Sequence, residues 1–457
     1  MAASTQLDPP TALTLEPYLV RLPLDDLESM CRVSHAMAAA CRSATLWRAR
    51  ALAYFPPVVA AYVHGGPADA LDGKRARARY ELRARQGVPL FEGKPRVWRQ
   101  RSGEPCMVLS PDGARVFELR LDGAAPLLRY GGAPPPPPST VSIVVHDTDT
   151  LREHARVPLG VAPHPATATP PAIAASGAAA YVGDCLFWLT PARDALRADG
   201  PRWHALLAEA ARRHDARPPV AAAPQPFVVV LSDDGRTLVS VEGSRTDATV
   251  RVRAFRFDDA AALASYGELE LPHWAGDLND DEPTMIAHAF VQLSRSGRRA
   301  VFSNARDQFV LSVLDANDDH VVHMQVLETA PRRLHRHAAA LDDTRVYNAD
   351  GVAGAALDSL PARSVGVARR LDVNGAVMAV LYADEFVVAP AGAPWEPRPP
   401  GRVRFAATAL PPKRLTFTAA HVSRDGRRVL ALNARQLTSD SRSARLFYVD
   451  AVSGAGE

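Results

Sequence analysis

The spacing of apolar residues divides the chain into two parts that meet near residue 95. Before that point, apolar residues recur at steps of three to five over residues 13–60, which predicts amphipathic helices. The stripe consists of Leu22, Leu27, Met30, Val33 and Met37. Pro23 followed by Asp25-Asp26 indicates a helix start, because proline fits the first turn and acids complement the positive end of the helix dipole. After residue 95, short apolar runs alternate with Gly, Asp, Asn and Pro, which is typical of strands and tight turns.

A strand–turn–strand pattern recurs in the second part. Each copy has an apolar residue, a serine, two variable residues and a glycine, followed by an apolar strand. The four clear copies are Leu109–Gly113, Leu231–Gly235, Leu293–Gly297 and Val422–Gly426. We expect the glycine to adopt positive φ, and the aspartate that precedes it in three copies to bond the turn backbone.

A second apolar strand, ending in aspartate, follows each copy. These aspartates are Asp147, Asp258, Asp315 and Asp450. The uneven spacing leaves room for degenerate copies, which we place around Ser176, Leu341 and Leu371. Seven turns over residues 96–457 give one unit per roughly 50 residues, the period of four-stranded propeller blades. The sequence therefore predicts a large all-β propeller of seven blades, with six as the alternative.

Three local expectations accompany the propeller. Loop insertions should fall at residues 132–139, 160–171, 192–224 and 390–412, which are rich in Pro and Ala. Residues Pro201–His214 should form a helix within one of them, with the proline in its first turn. The last unit has only about three strands, so we expect Pro95–Arg99 to complete its blade, because propellers avoid open edges.

The stretch from Leu15 to Pro56 resembles an F-box. The matching elements, in order and spacing, are Leu22-Pro23, Asp26-Leu27, Cys31-Arg32-Val33-Ser34 and Leu46-Trp47-Arg48. Pro17 predicts a break in what would be the first helix. The resemblance divides the chain into a disordered N-terminus over 1–12, an F-box-like all-α domain over 13–60, a basic helical linker over 61–94 and the propeller over 95–457.

The resemblance implies a substrate-receptor subunit of an SCF-type cullin–RING ubiquitin ligase. The helices would dock the adaptor subunit, and the propeller, which resembles Trp-Asp-repeat receptor domains, would bind a target protein. Carried over by position, the residues that would face the adaptor or support that face are Leu22, Pro23, Leu27, Met30, Val33, Leu46 and Trp47. A helical unit this small gains from burial against a partner, and Leu and Trp are typical anchors. In the alternative, these residues pack on the chain's own propeller.

Composition adds one unusual feature to this picture. Of 53 basic residues in 457, only Lys74, Lys94 and Lys413 are lysines, for which GC-rich coding is the simplest cause. This texture resembles that of F-box proteins encoded by giant DNA viruses. For a ubiquitin-ligase subunit, it also means few acceptors for self-modification.

Charge and cysteine usage bear on partners and location. The basic run from Lys74 to Arg101 places arginines at helical spacing around a single aromatic, Tyr80, so we interpret it as a solvated helix face and expect no nucleic acid. The sequence has no long apolar run and no secretory signal pattern, and no membrane partner is expected. Four cysteines without C-x-x-C spacing predict reduced thiols and a cytoplasmic or nuclear protein, in the host cytoplasm if viral.

Catalytic and cofactor motifs are weak. The stretch Gly87–Pro95 departs from a phosphate loop in spacing and lacks its Ser/Thr, and the loop after Asp315 lacks the Gly and Glu of a calcium loop. The histidines between 320 and 337 have no matching Cys or Glu. We therefore predict no catalytic residue, cofactor or metal. Two other functions stay open: a propeller hydrolase of lactones or esters with a central metal, and an F-box scaffold that delivers nothing for degradation.

Overall fold

A computed structural model gives the fold of the chain. It describes residues 10–22, 24–66, 72–93, 107–122, 140–161, 169–183, 185–192, 195–199, 202–213, 226, 228–243, 249–272, 290–303, 307–313, 324–331, 339–341, 346–348, 370–374, 377–381, 385–390, 403–406, 415–435 and 442–449.

Helices occupy the beginning of the chain. They are α1 (Pro10–Arg21), α2 (Leu24–Met30), α3 (His35–Ala40), α4 (Ala44–Tyr54), α5 (Pro57–His64) and α6 (Gly73–Gln86). Serines cap two of them: Ser34 and Ser43 accept backbone N–H bonds from the first turns of α3 and α4. Helix α1 runs through Pro17, so the predicted break there is wrong, and α1 begins inside the stretch predicted to be disordered.

The strands follow these six helices, and one further helix lies among the strands. In chain order they begin with β1 (Val88–Gly93). The first sheet is β2 (Met107–Leu109), β3 (Arg115–Asp122), β4 (Thr140–Asp147) and β5 (Glu153–Val161). The second is β6 (Thr169–Ile173), β7 (Ala179–Gly183), β8 (Cys185–Ala192) and β9 (Ala195–Asp199). The third is β10 (Val228–Leu231), β11 (Thr237–Glu242), β12 (Thr249–Phe257) and β13 (Leu263–Pro272).

Four more sheets complete the series. The fourth is β14 (Phe290–Leu293), β15 (Arg299–Ser303), β16 (Asp307–Ser312) and β17 (Gln325–Pro331). The fifth is the strand pair β18 (Ala339–Leu341) and β19 (Val346–Asn348). The sixth is β20 (Arg370–Asn374), β21 (Val377–Leu381), β22 (Glu385–Pro390) and β23 (Val403–Ala406). The seventh is β24 (Leu415–Val422), β25 (Arg428–Arg435), β26 (Arg442–Tyr448) and β1.

These antiparallel sheets form a β-propeller, as the repeat predicted. The first strands of successive sheets lie side by side, with β10 between β6 and β14, and β20 between β18 and β24. The predicted number of seven blades is corrected: in the described residues only six sheets have the four strands of a blade, and the fifth sheet is a pair of strands. The predicted insertion over 192–224 contains β9 and a helix, α7 (Trp203–Arg213), close to the predicted bounds.

The repeated turn has the predicted geometry. Its glycines have φ between 70° and 79°, and Gly177 in one degenerate copy has the same conformation. Asp234 accepts the backbone N–H of Arg236 at 2.9 Å, and the other turn aspartates do the same. The serine has a role that the pattern did not reveal: Ser232 Oγ donates to Asp234 and accepts the backbone N–H of Thr237. Side chains of the turn therefore satisfy backbone groups that its tight bend leaves unpaired.

An N-terminal strand closes the last sheet, but it is a different one from that predicted. Strand β1 pairs antiparallel with β26, from Val88 opposite Leu446 to Gly93 opposite Arg442. Pro95–Arg99 lies outside the described residues, and the edge of β26 that it was predicted to cover is occupied by β1. The propeller thus includes residues before 95, and the predicted boundary moves upstream.

The helices and the propeller share one hydrophobic core. Buried side chains of α4 and α6 pack in the same cluster as Val88, Leu109, Leu446 and Tyr448 of the first and last sheets. Phe55, which follows α4, contacts Tyr448 edge to face, with ring centroids 5.9 Å apart. Residues 73–86, predicted as part of a linker, form a packed helix in this core.

No helix in the described part of the chain combines the length and apolar character that a membrane crossing requires.

Candidate functional site

Three of the seven predicted adaptor residues lie inside the chain's own core. Leu27, Leu46 and Trp47 are fully buried. The Trp47 indole N–H donates to the Cys41 carbonyl at 2.7 Å, and its ring packs against Tyr80 of α6 at 5.5 Å between centroids. These side chains can support a docking face from beneath, but their own surface is already buried against other residues of the chain.

The other predicted residues lie nearer the surface. Leu22 and Met30 are half-buried, and Val33, in the turn between α2 and α3, is 70% exposed. Pro23 lies outside the described residues. The structure therefore brings Val33 to the surface beside Met30, at the end of α2, and leaves a narrower apolar face than the sequence pattern predicted.

Large exposed apolar side chains are confined to the helices and their connections. Among the described residues they are Tyr18, Val33, Leu52, Val58 and Tyr62, between 39% and 70% exposed. The described part of the propeller has none. Single exposed apolar residues are ordinary on protein surfaces, but their concentration in one small unit is typical of a docking region.

A disulfide lies within this region. Cys31, at the end of α2, is bonded to Cys41, the C-terminal cap of α3, with their Cα atoms 5.9 Å apart. The prediction that these cysteines are reduced thiols is therefore corrected. The bond closes a loop that carries Val33 and the whole of α3, and it fixes both relative to the buried Trp47. Cys185 takes no part in this disulfide, and Cys106 lies outside the described residues.

A buried arginine fixes the end of α1. Arg50 on α4 is fully buried and donates from Nη1 to the carbonyls of Leu19, Val20 and Leu22, at 3.0, 2.9 and 2.7 Å. These carbonyls belong to the last turn of α1 and to the residue after it, where no intrahelical partner is available. The apolar stripe of the N-terminal sequence did not predict this contact. One arginine among 50 in the chain gives little indication of where its side chain lies.

A second arginine links distant blades of the propeller. Arg295, in the turn after β14, pairs with Asp233 at 3.0 Å and with Asp372 at 2.9 Å. Asp372 on β20 also accepts the backbone N–H of Val422 at 2.6 Å. Burial raises the pKa of Asp233, and the Arg295 guanidinium opposes this rise. One cation thus joins residues of the third, fourth and sixth sheets by pairing with two carboxylates at one end of the inner strands.

The turn backbones of neighbouring blades are joined as well. In two pairs of neighbouring blades the residue after the repeat serine donates its N–H to the carbonyl of the equivalent residue: Asp233 to Arg295 at 2.9 Å, and Arg424 to Pro111 at 2.7 Å. In the degenerate copy the donor stands one position further along the turn, where the Ser176 N–H bonds the Asp233 carbonyl at 2.8 Å. The sequence repeat predicted each turn. The hydrogen bonds between turns exist only because the propeller places neighbouring sheets side by side.

Two polar networks lie inside the blades. In the first sheet, Glu118 pairs with Arg120 at 2.6 Å and with His146 at 2.8 Å, and these hydrogen bonds hold the pKa of Glu118 low although burial acts to raise it. In the third sheet, Glu242 pairs with Arg253 at 3.1 Å, and burial raises the pKa of Glu242 to about 7. The Glu118–His146 and Glu242–Arg253 contacts join neighbouring strands, so only strand register could reveal them.

The candidate metal and phosphate motifs rejected above add nothing to the site. His320, His323, His335 and His337 lie outside the described residues, as does Asp315. Within the described residues, no group of three or more His, Cys, Asp or Glu is arranged to hold a metal ion. Gly87 is the C-terminal cap of α6 and leads directly into β1.

Comparisons with known proteins identify no family. No family model matches the sequence, and no curated protein matches it. Structural similarity is distant: a structural-genomics target from Lactobacillus plantarum has a TM-score of 0.32 and 12% identity, covering 74% of this chain and 82% of that one. The hydrazine synthase of Kuenenia stuttgartiensis has a TM-score of 0.29 and 13% identity, covering 73% and 77%. A functionally unknown protein from Desulfotomaculum acetoxidans has a TM-score of 0.30 and 9% identity, covering 64% and 69%. TM-scores this low do not support any argument about function. The fold is assigned from the chain's own sheets.

Proposed function

We propose that the chain is an F-box substrate receptor of a cullin–RING ubiquitin ligase. Its N-terminal helices dock the adaptor subunit, and its propeller binds a target protein. The observation that carries the proposal is that every large exposed apolar side chain among the described residues lies between Tyr18 and Tyr62. Burial of such a surface against another chain is favourable, because it removes apolar side chains from water.

The F-box resemblance and the geometry agree at Val33. This residue belongs to the Cys31–Ser34 element of the resemblance, and it is the most exposed large apolar residue of the described set. The disulfide and the Arg50 contacts hold the surrounding helices in place without it. A side chain that the fold does not need, at a position matched by the family, is a good candidate for contact with the adaptor.

A binding assay with the purified adaptor subunit tests the proposal. The full chain is expected to bind it, and Val33→Asp and the double variant Leu22→Ala/Pro23→Ala should lose binding. Leu52→Asp is the matched control, because Leu52 is similarly exposed, at 64%, but lies on α4 outside the family's motif. Absence of binding by the wild type would refute adaptor docking. Equal losses in Val33→Asp and Leu52→Asp would refute the assignment of the face.

Target binding by the propeller separates a receptor from a scaffold. Proximity labelling with the full chain and with a helix-deleted chain should give proteins whose abundance rises when the helices are removed. Stable abundance of all labelled proteins would favour the non-degradative scaffold. The hydrolase alternative would require carboxylates able to act at the inner strands, whereas Asp233 and Asp372 are both paired with Arg295.

A further inference from the structure

Helix α5 presents an apolar face that is partly exposed in the described part of the chain. Its inner face, Val59, Ala60 and Val63, is buried in the core. Its outer face carries Val58, 46% exposed, and Tyr62, 39% exposed, which are four residues apart and therefore adjacent on the helix surface. The helix contains no acidic residue and no Lys or Arg, so nothing polar separates these two side chains along it.

Helix α6 lines this apolar row with positive charge. The helix has six Lys and Arg against one Glu. Two of its arginines, also four residues apart, hold their guanidinium groups over the Tyr62 ring: Arg83 at 4.3 Å and Arg79 at 5.8 Å from the ring centroid. Cation–π contacts of this kind keep both cations beside the apolar row. The result is an apolar row on α5 next to a cationic row on α6.

We infer that this α5–α6 face docks an acidic amphipathic helix of a partner protein. Such a helix has apolar residues at three- and four-residue spacing, which fit Val58 and Tyr62, and a flanking row of Asp or Glu, which fits Arg79 and Arg83. The aliphatic Val58 favours protein over nucleic acid, whose bases stack on aromatic rings. Two partly exposed apolar side chains do not form the continuous apolar face by which an amphipathic helix inserts into a bilayer.

The inference does not depend on adaptor docking. Val33, the residue assigned to adaptor contact, lies between α2 and α3, whereas this face is formed by α5 and α6. A variant of one face should leave binding at the other unchanged, so the failure of one proposal can be told from the failure of the other.

A peptide-display selection tests the inference. The library has leucines at helical spacing and random acidic, basic or neutral residues at the flanking positions, and it is selected on the full chain. Peptides rich in Asp and Glu should be enriched, and Arg79→Glu/Arg83→Glu should weaken their affinity about tenfold or more. Val58→Asp should also lower the affinity of the chain for these peptides.

The control separates docking from general charge attraction. Lys74→Glu/Arg75→Glu makes the same change in net charge on the same helix, near its other end, and should change affinity by less than about threefold. Equal weakening by both double variants, no enrichment on the wild type, or enrichment without acidic residues would overturn the inference. So would binding of vesicles containing phosphatidylserine, or of single-stranded DNA, that the Val58→Asp variant abolishes. Circular dichroism of each variant checks that it is folded.

Discussion

The guanidinium of Arg50 donates a 2.7 Å hydrogen bond to the carbonyl of Leu22, the residue that opens the F-box-like motif. Together with its bonds to Leu19 and Val20, this contact ties α4 to the end of α1. The cation also lies 5.3 Å from the Tyr54 ring centroid and 5.2 Å from that of Tyr80. A residue far along the chain therefore sets the position of the segment proposed to dock the adaptor.

Replacing this arginine should destabilise the helical unit. Arg50→Met leaves the three carbonyls without their donor in a buried site, so we expect the free energy of unfolding to fall by roughly 2–4 kcal/mol. Arg42→Met makes the same change at an exposed position and should have little effect. Chemical denaturation measures both, and an Arg50→Met variant as stable as the wild type would contradict the assigned role.

The shared core predicts that helices and propeller unfold together. Val88 on β1 is buried in the cluster that contains both, so Val88→Asp should lower the free energy of unfolding by about 2–4 kcal/mol. Val58→Asp, at an exposed valine, is the matched control. Thermal unfolding followed by far-ultraviolet circular dichroism and by tryptophan fluorescence should give coincident transitions. Two separate transitions would show that the helical unit folds independently.

The buried carboxyl of Glu242 should make stability depend on pH. Burial raises its pKa from 4.5 to about 7, with Arg253 and Arg251 opposing the rise. Because the folded state holds this proton more tightly than the unfolded chain, the stabilisation is complete below pH 4.5 and is lost as the pH rises through about 7. Its size is at most about 3 kcal/mol.

Substitution by glutamine isolates this group. Glu242→Gln should flatten the loss of stability between pH 5 and 8, roughly the interval over which Glu242 is expected to ionise. Glu270→Gln, at the exposed partner of Arg251, should keep the wild-type profile. The test is to measure the denaturation midpoints of the wild type and both variants between pH 5 and 8. A wild-type profile in Glu242→Gln would mean that Glu242 is ionised throughout.

The disulfide predicts a specific pattern of thiol labelling. If the chain is denatured without reductant and treated with iodoacetamide, Cys185 should be modified, whereas Cys31 and Cys41 should react only after reduction. Replacing both bonded cysteines by serine should cost about 2–3 kcal/mol, because the unfolded chain then regains the entropy of the closed loop. Labelling of Cys31 before reduction would disprove the bond.

How far the sequence predicted the fold can be judged from particular elements. The repeated Ser-x-x-Gly turn identified the β-sheets correctly, because positive φ at Gly113 and the aspartate–backbone bonds are local requirements of a tight turn. Helix α7 was predicted from the same kind of local signal. The closing strand was misplaced by seven residues, since choosing β1 over its neighbours depends on pairing with β26 near the other end of the chain. The disulfide and the Arg295 pairs were missed for the same reason, which also left open whether Trp47 contacts a partner or the chain's own core.

The sequence by itself determined the order of helices and strands, the turn chemistry and the apolar stripe of the N-terminal unit, because these follow from the preferences of neighbouring residues. Only the tertiary structure decided which members of that stripe are exposed. Leu27 and Val33 belong to one stripe, yet the first is buried in the core that also contains residues of α4 and α6, and the second lies at the surface. Burial depends on contacts between residues far apart in the chain, and a helical period cannot distinguish an apolar side chain that faces its own core from one that faces a partner.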